Sequence, residues 1–286
     1  MYLKDFWFSY KNILLRDIER RKYLTFFRRI FGILLRFLIR SFKHKFNLKV
    51  VDLDKFRNQK EYLSFNLEKL FINFNSDKGS HWFWKNKKLD AHNYSEFYEK
   101  YFSSLKKKKI NFLEIGSHEG KGVASFFFYF PFSRIIGANI NPFQMKFSSK
   151  RITELYIDVS SKKILNNFAN HLNEKQDIIL DDASHNIRDI LITLSSMFKK
   201  LKSGGIYVIE DIEQFKIFNE LNPYLNESSP MEILKKIKDK SFFKSSFIED
   251  EEKKYLIDNI ETINFEKGSM IINGQNASDI AFIFKR

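Results

Sequence analysis

The chain contains no cysteine. Disulfides and thiolate metal sites are therefore excluded. Six His and many carboxylates remain as ligands for a hard, oxygen-preferring cation. Long apolar runs free of charge are also lacking. The most apolar stretch, Tyr23–Phe42, carries Arg28, Arg29, Arg36 and Arg40. That is too many charges for an ordinary spanning helix. No apolar segment ends in a small-residue cleavage site, so no signal peptide is expected. No internal repeat is visible. What is abundant is apolar and aromatic. Hydrophobic residues make up 43% and aromatics 17%, which excludes a disordered chain. The 33 Phe exceed what an ordinary core takes up.

The net charge of +14 is unevenly spread. The first 50 residues hold 13 Lys and Arg against Asp5, Asp17 and Glu19, a surplus of +10, and the other 236 residues hold +4. The basic character belongs to an N-terminal segment. On a helical wheel Arg28, Arg29, Arg36, Arg40 and Lys43 fall within an arc of roughly 120°. Phe26, Phe27, Ile30, Phe31, Leu34, Phe37 and Leu38 fill the opposite side. Such an amphipathic helix, over residues 19–45, suits an anionic membrane surface. It suits equally a face packed on the rest of the protein or on a second copy in a homo-oligomer.

The length of 286 residues allows one α/β domain with an appendage. Residues 46–108 read as helical and linker-like, with a turn at Asn75–Ser80. From Ile110 strands and helices alternate, as in a parallel sheet. Strands are expected at Asn111–Ile115, Arg134–Asn139, Thr153–Ile157, Asp177–Leu180 and Gly205–Ile209. The intervening helices lie near Val123–Phe130, Pro142–Lys150, Lys162–His171 and Ile187–Lys200, with Ser203–Gly205 a helix-ending turn. Glu213–Asp258 reads as mostly helical. Two late strands near Ile260–Phe265 and Ile280–Phe284, with a short one at Met270–Ile272, complete the sheet. The expected division is 1–60 basic helical segment, 61–108 helical cap or lid, and 109–286 α/β domain.

The segment Asn111–Gly122, NFLEIGSHEGKG, is a buried strand running into a glycine turn. Glu114, Gly116 and Gly120 give the spacing E-x-G-x-x-x-G. Such a turn lets backbone approach a nucleotide-like ligand closely. Two further strand ends, IILDDASH and GIYVIEDI, present Asp182, Glu210 and Asp211 on what should be one edge of the sheet. Three carboxylates without cysteine suit Mg²⁺. The plainer alternative is that Asp181 or Glu210 caps a helix or pairs with Lys.

These motifs, together with SDKGSH at Ser76–His81, LKSGGIYVIEDI at Leu201–Ile212 and a terminal pair of strands, resemble the class I S-adenosylmethionine (SAM) dependent methyltransferases. The resemblance runs from about Ser76 to the C-terminus. More narrowly, it is to the metal-dependent sugar O-methyltransferases of the macrocin and mycinamicin type. It implies a Rossmann-like, mostly parallel sheet with an antiparallel last strand. It implies SAM on Glu114, Gly116, Ser117, Gly120, Asn139, Asp158 and Asp181. It also implies Mg²⁺ on Asp182, Glu210 and Asp211, holding a sugar diol. His185, three residues beyond Asp182, is then the general base, since a histidine can take a proton from a hydroxyl near neutrality. Asn139 stands where the family carries an acid for the ribose, and Ala183 replaces the glycine of DDGSH. Asp158 resembles the residue near the adenine, or is simply a helix N-cap. Asp77, Lys78, His81, Tyr94 and Tyr98 match a weaker family stretch that folds as a lid or a helical cap.

The implied activity is O-methylation of a sugar hydroxyl on a saccharide, glycolipid or glycosylated metabolite. The implied location is cytoplasmic, peripheral on the inner membrane face. An inactive methyltransferase-fold protein acting at a membrane or in assembly is the alternative, supported by Asn139 and Ala183. A hydroxylase relative is disfavoured because no two-His-plus-carboxylate iron signature is present. A nucleic-acid substrate is disfavoured by the near-neutral residues 51–286 and the lack of an N-P-P-Y type motif.

Overall fold

The computed structural model describes residues 3–30, 50–57, 59–218, 220, 224 and 226–286. Phe31, Leu34, Arg36, Phe37, Leu38, Arg40 and Lys43, the larger part of the expected amphipathic helix, lie outside the described residues. Its first turns, over 23–30, are helical, and Leu24 and Phe27 are exposed there.

The centre is a seven-stranded sheet. In chain order its strands are β1 (Asn111–Ile115), β2 (Arg134–Asn139), β3 (Ile152–Tyr156), β4 (Gln176–Asp181), β5 (Leu201–Ile209), β6 (Ile260–Lys267) and β7 (Asp279–Lys285). Their spatial order is β6-β7-β5-β4-β1-β2-β3. β3, β2, β1, β4 and β5 are parallel, whereas β7 runs antiparallel to both β5 and β6. The strand centres are mostly Ile, Leu, Val and aromatic because both faces are covered. β1 lies between β2 and β4, so the chain reverses its direction of travel across the sheet there. In open α/β sheets such a switch point is where ligands bind, beyond the carboxyl ends of the strands.

Among the described residues the main helices are α1 (Leu3–Glu19), α2 (Leu67–Asn73), α3 (Ser95–Phe102), α4 (Lys121–Tyr129), α5 (Lys162–His171), α6 (Ile187–Met197), α7 (Pro230–Lys238) and α8 (Asp250–Asn259). The two faces of the sheet differ in chemistry. One core is mainly Ile and Leu, from α5, α6, α7 and the strands. The other is aromatic, and here most of the surplus Phe is used. Phe126, Phe127, Phe128 and Phe130 from α4 and its end pack with Phe71, Phe74, Phe102, Phe112 and Phe282. Residues from α2 and α3 belong to this same core.

Several elements differ from the sequence expectation. Residues 46–108 contain a β-hairpin, His81–Trp84 with Lys87–Asp90. Its turn residues Lys85 and Asn86 both have positive φ, as a two-residue hairpin turn requires. Pro142–Lys150 is not a helix. It holds a short 3₁₀ turn, Pro142–Gln144, and then Phe147–Ser148, which pairs with Val51–Asp52. Met145 is drawn inward instead, against Gly120 and Gly137. β5 begins at Leu201, so Ser203–Gly205 is not a turn before it. Gly204, at φ +72°, sits at an irregularity in the pairing with β4. Ile271–Ile272 pairs only with Gln275–Asn276 and does not extend the main sheet.

α1 packs along β3, the edge strand. Ser9 Oγ accepts the Tyr156 backbone N–H at 3.0 Å, which satisfies a donor of an otherwise open edge. His171 bonds Asp5 at 2.9 Å while stacking on Phe8 at 4.0 Å. Among the described residues no helix is long and apolar enough to cross a membrane.

Candidate active site

The register of the sheet builds the site. Ile115 pairs with Asp181, and Asp181 with Ile209, so β1, β4 and β5 end on one row. The next residues, Gly116, Asp182 and Glu210, are therefore neighbours. Asp182 N bonds Ile115 O at 2.9 Å and Glu210 N bonds Asp181 O at 3.0 Å. Gly116, at φ +94°, turns the chain directly against the neighbouring strand end. A Cβ there would lie 1.9 Å from the Asp182 carbonyl oxygen. Gly120, at φ +83°, caps α4.

Of the residues expected on the cofactor side, Glu114 and Ser117 flank this turn. Glu114 is buried, and its Oε2 has no hydrogen-bond partner. Burial pushes its carboxyl up to about 7, against the pull of Lys78. An orphaned carboxylate oxygen beside a glycine turn suits a cationic or N–H donor from a ligand. Ser117 is buried in the turn. Asn139 ends β2 half-buried, with Oδ1 accepting the Ile140 N–H at 2.9 Å. Asp158 is not the cap of α5, which is Ser161. Its Oδ1 accepts Ser160 N and Oγ, and its Oδ2 accepts Arg20 Nη2 at 3.0 Å. Asp158 thus ties the end of α1 to the sheet. Asp181 is buried, its Oδ2 accepting the Tyr207 hydroxyl at 3.2 Å. Burial raises it to about 8 although the Tyr207 bond opposes the shift.

On the other side of Asp182, a ligand atom each from Asp182, His185 and Asp211 lie within 4.8 Å of one another. His185 Nε2 is 3.6 Å from Asp182 Oδ1. His185 (φ +53°) and Asp211 (φ +52°) both adopt the left-handed region. Asp and His tolerate that region better than most residues, and it is over-represented at functional sites. Ala183 has no positive φ, so its methyl group costs no backbone strain where the family has glycine. Glu210 lies outside this group. Its Oε2 accepts Lys78 Nζ at 2.7 Å, and its Oε1 accepts the Tyr98 hydroxyl. The expected set Asp182, Glu210 and Asp211 is therefore divided.

Four groups that sequence reasoning left without roles complete the site. Lys78 Nζ reaches Asp182 Oδ2 at 2.5 Å as well as Glu210, and lies 4.0 Å from Glu114. Burial pulls Lys78 down, but Asp182, Glu210, Asp77 and Glu114 together raise it well above the usual range. Burial and Asp182 push Glu210 upward. Tyr94 donates to Asp211 at 2.5 Å, and His92 Nδ1 is 3.1 Å from the same oxygen. Burial lowers His92, and Asp211, Asp77 and Asp182 outweigh it, so the net shift is upward. Asp211 is pushed up by burial but held below its ordinary value by His92, His185 and Tyr94. A D-K…H-x-Y-x-x-x-Y pattern across residues 77–98 was the available signal. The hairpin inserted between Lys78 and His92 obscures it.

No family model matches the chain. Curated relatives do. One is an 8-demethyl-8-α-L-rhamnosyl tetracenomycin-C 2′-O-methyltransferase of Streptomyces olivaceus, 26% identical over 44% of this chain and 35% of the relative. Another is an L-olivosyl-oleandolide 3-O-methyltransferase of Streptomyces antibioticus, 28% identical over 51% of this chain and 36% of the relative. The matches span about a third of the length of these relatives. Among solved structures, the MycE methyltransferase of the mycinamycin biosynthetic pathway, in complex with Mg and SAH, superposes with a TM-score of 0.57. It is 20% identical, over 77% of this chain and 55% of that one. A second structure of MycE, which also contains mycinamycin VI, gives the same TM-score. With its sheet order and its glycine turn at the switch point, the chain has the class I methyltransferase fold and resembles the sugar O-methyltransferases of the macrocin and mycinamicin type.

Proposed function

We propose that the chain is a SAM- and Mg²⁺-dependent O-methyltransferase acting on a sugar hydroxyl of a glycosylated small molecule. The observation that carries this is the placement of Asp182, His185 and Asp211 within 4.8 Å of one another, one residue from the Gly116 turn. The donors fit the metal: Asp182 and Asp211 offer hard carboxylate oxygens, and His185 beside them keeps its imidazole free for a proton. When bound there, Mg²⁺ supplies Lewis acidity that lowers the pKa of a hydroxyl and fixes an adjacent pair of them.

The residues divide the remaining work. Glu114, Gly116, Ser117 and Gly120 take the amino-acid end of SAM, and Asn139 the ribose. Asp158 and Asp181 shape the pocket walls through Arg20 and Tyr207. His185 receives the hydroxyl proton at Nε2 as the oxygen takes the methyl group and the carbon–sulfur bond breaks. Asp182, 3.6 Å from that nitrogen, orients the ring and stabilises its charged form. Buried Tyr94 and Tyr98 keep bulk water from the acidic side.

The test is calorimetric titration of S-adenosylhomocysteine into the full chain, with Mg²⁺ and then with EDTA, alongside methyl transfer to methyl α-L-rhamnoside and rhamnosylated polyketides. Saturable binding that is lost in Glu114→Ala, with metal-dependent transfer to a glycoside, is expected. A folded protein that binds no S-adenosylhomocysteine would leave the inactive, assembly-type reading in its place. A membrane-bound acceptor is part of the proposal because Arg21, Lys22 and Arg28 are exposed beside exposed Leu24 and Phe27. Co-sedimentation with anionic vesicles checks it.

A further inference from the structure

The hairpin of His81–Trp84 and Lys87–Asp90 grows from the rim of the site. Lys78, shortly before it, reaches Asp182 and Glu210, and His92, shortly after it, reaches Asp211. Its root is fixed. His92 N bonds Asp77 O at 2.9 Å, and Tyr94 N bonds Lys78 O at 2.8 Å. Asn75 holds one edge, accepting the Phe83 N–H at 2.6 Å and donating to the Phe83 carbonyl at 2.9 Å. Beyond that root the hairpin is open on both sides. The register puts Trp82, Trp84 and Lys87 on one face and Phe83 and Lys88 on the other. The return strand is exposed along its whole length. Phe83 is 45% exposed, Trp84 56% and Leu89 39%. Lys85, Lys87 and Lys88 stand beside these apolar side chains, and among the described residues none of the three is paired with a carboxylate.

We propose that the tip of this hairpin inserts into the headgroup region of an anionic phospholipid bilayer and so turns the active site toward a membrane-linked saccharide. The inference deepens the membrane-bound acceptor proposed above and rests on it. A tip that is apolar on both faces fits a medium that surrounds it, whereas a docked protein would cover one face. Its composition is that of an interfacial anchor. Aromatic rings leave water at the boundary of the acyl chains, and the ammonium groups stay at the lipid phosphates. Its position serves the site. Four residues of strand carry the tip about 13 Å beyond its root, so a bilayer that takes up the tip lies close to the carboxyl ends of β4 and β5. A second basic segment emerges on the same side. Arg20, following α1, bonds Asp158 just beyond the carboxyl end of β3. Exposed Arg21, Lys22, Leu24 and Phe27 follow it. Two segments distant in sequence therefore leave the molecule where the parallel strands end.

The test uses the full chain and vesicles of equimolar phosphatidylglycerol and phosphatidylcholine. Trp7→Phe leaves two tryptophans, Trp82 and Trp84, both on the hairpin. When vesicles are added at low salt their emission should move to the blue, and lipids brominated in the acyl chains should quench it. Phe83→Ser combined with Trp84→Ser should weaken co-sedimentation by about tenfold or more. Lys85→Glu, Lys87→Glu and Lys88→Glu together should do the same. Both variants change only exposed side chains at the tip, so both should bind S-adenosylhomocysteine as the parent does. A parent that binds these vesicles while its hairpin tryptophans are neither shifted nor quenched would overturn the proposal. So would hairpin variants that bind as tightly as the parent, and the membrane-bound acceptor would then rest on residues 21–30 alone. A parent that binds no vesicles would remove that acceptor together with this inference. A dimer that is lost in the Phe83→Ser, Trp84→Ser protein, without vesicle binding, would make a second copy of the chain the occupant instead.

Discussion

Gly116 and Gly120 show how two glycines in one motif carry different weight. A Cβ on Gly116 would meet backbone, 1.9 Å from the Asp182 carbonyl oxygen, at φ +94°. A Cβ on Gly120 would meet the Met145 side chain at 2.6 Å, which can move. Gly116→Ala is therefore expected to abolish S-adenosylhomocysteine binding and to destabilise the fold by more than about 2 kcal/mol. Gly120→Ala should cost about 1–2 kcal/mol and retain binding. Urea denaturation and calorimetry of the two proteins compare them, and equal effects would contradict the geometry. Asp181 gives a second residue-level expectation. Burial raises its folded-state carboxyl to about 8 from the ordinary 3.8. The unfolded chain thus releases a proton well below the pH at which the native chain does. Stability from this group is greatest below pH 4, falls as pH rises toward 8, and is flat above. Asp181→Asn keeps an acceptor for Tyr207 and removes that slope. Its melting temperature in EDTA should rise relative to the parent at pH 8 and match it near pH 4. The carboxylates were legible in the sequence because each follows a strand directly. The roles of Lys78, His92, Tyr94 and Tyr98 were not, because their partners lie 104 to 132 residues away, beyond the reach of any local pattern.

At the scale of elements, the five parallel strands were readable because buried strands are continuous apolar runs bounded by turn residues. β1 and β2 fall on the expected residues, β3 shifts by a residue, β4 is a residue longer at each end, and β5 begins four residues earlier than expected. Short, partly exposed elements were not readable. The hairpin at 81–90 has two exposed aromatic residues, Phe83 and Trp84, and lysines on its return strand, so no alternation marks it. Phe147–Ser148 pairs with Val51 across nearly a hundred residues, and tertiary pairing overrides the local helical pattern. α1 is the element with the clearest structural cost. Ser9→Ala leaves the Tyr156 N–H of β3 buried without an acceptor, which costs about 1–3 kcal/mol. Asp5→Ala removes the His171 partner. Chemical denaturation should show both losses, and hydrogen exchange should show them concentrated at β3. Unchanged protection of Tyr156 in Ser9→Ala would mean that α1 does not seal this edge.

Across the whole molecule the charge asymmetry is the feature that composition alone reveals, and the structure changes how it must be tested. Deleting residues 1–50 would remove the +10 surplus, but it would also strip α1 from β3 and break Arg20–Asp158. Loss of vesicle binding in such a protein would be uninterpretable, because an open sheet edge is itself sticky. Not all of the basic residues are equivalent, either. Arg20 is committed to Asp158 and Arg29 to Asp17. Arg21, Lys22 and Arg28 are exposed. Each basic side chain near an anionic bilayer contributes about 1 kcal/mol, and the contribution falls away within a Debye length. Replacing these three by Glu reverses the local field and leaves α1 seated. Binding to phosphatidylglycerol vesicles at low salt should drop by at least a hundredfold in that variant. In the parent it should weaken steeply between 50 and 500 mM NaCl. Binding that survives both changes would make it apolar insertion, the exposed Leu24 and Phe27 included, whereas a parent that binds no vesicles would assign them to a protein surface, with a second copy of the chain as the first candidate to examine by sedimentation.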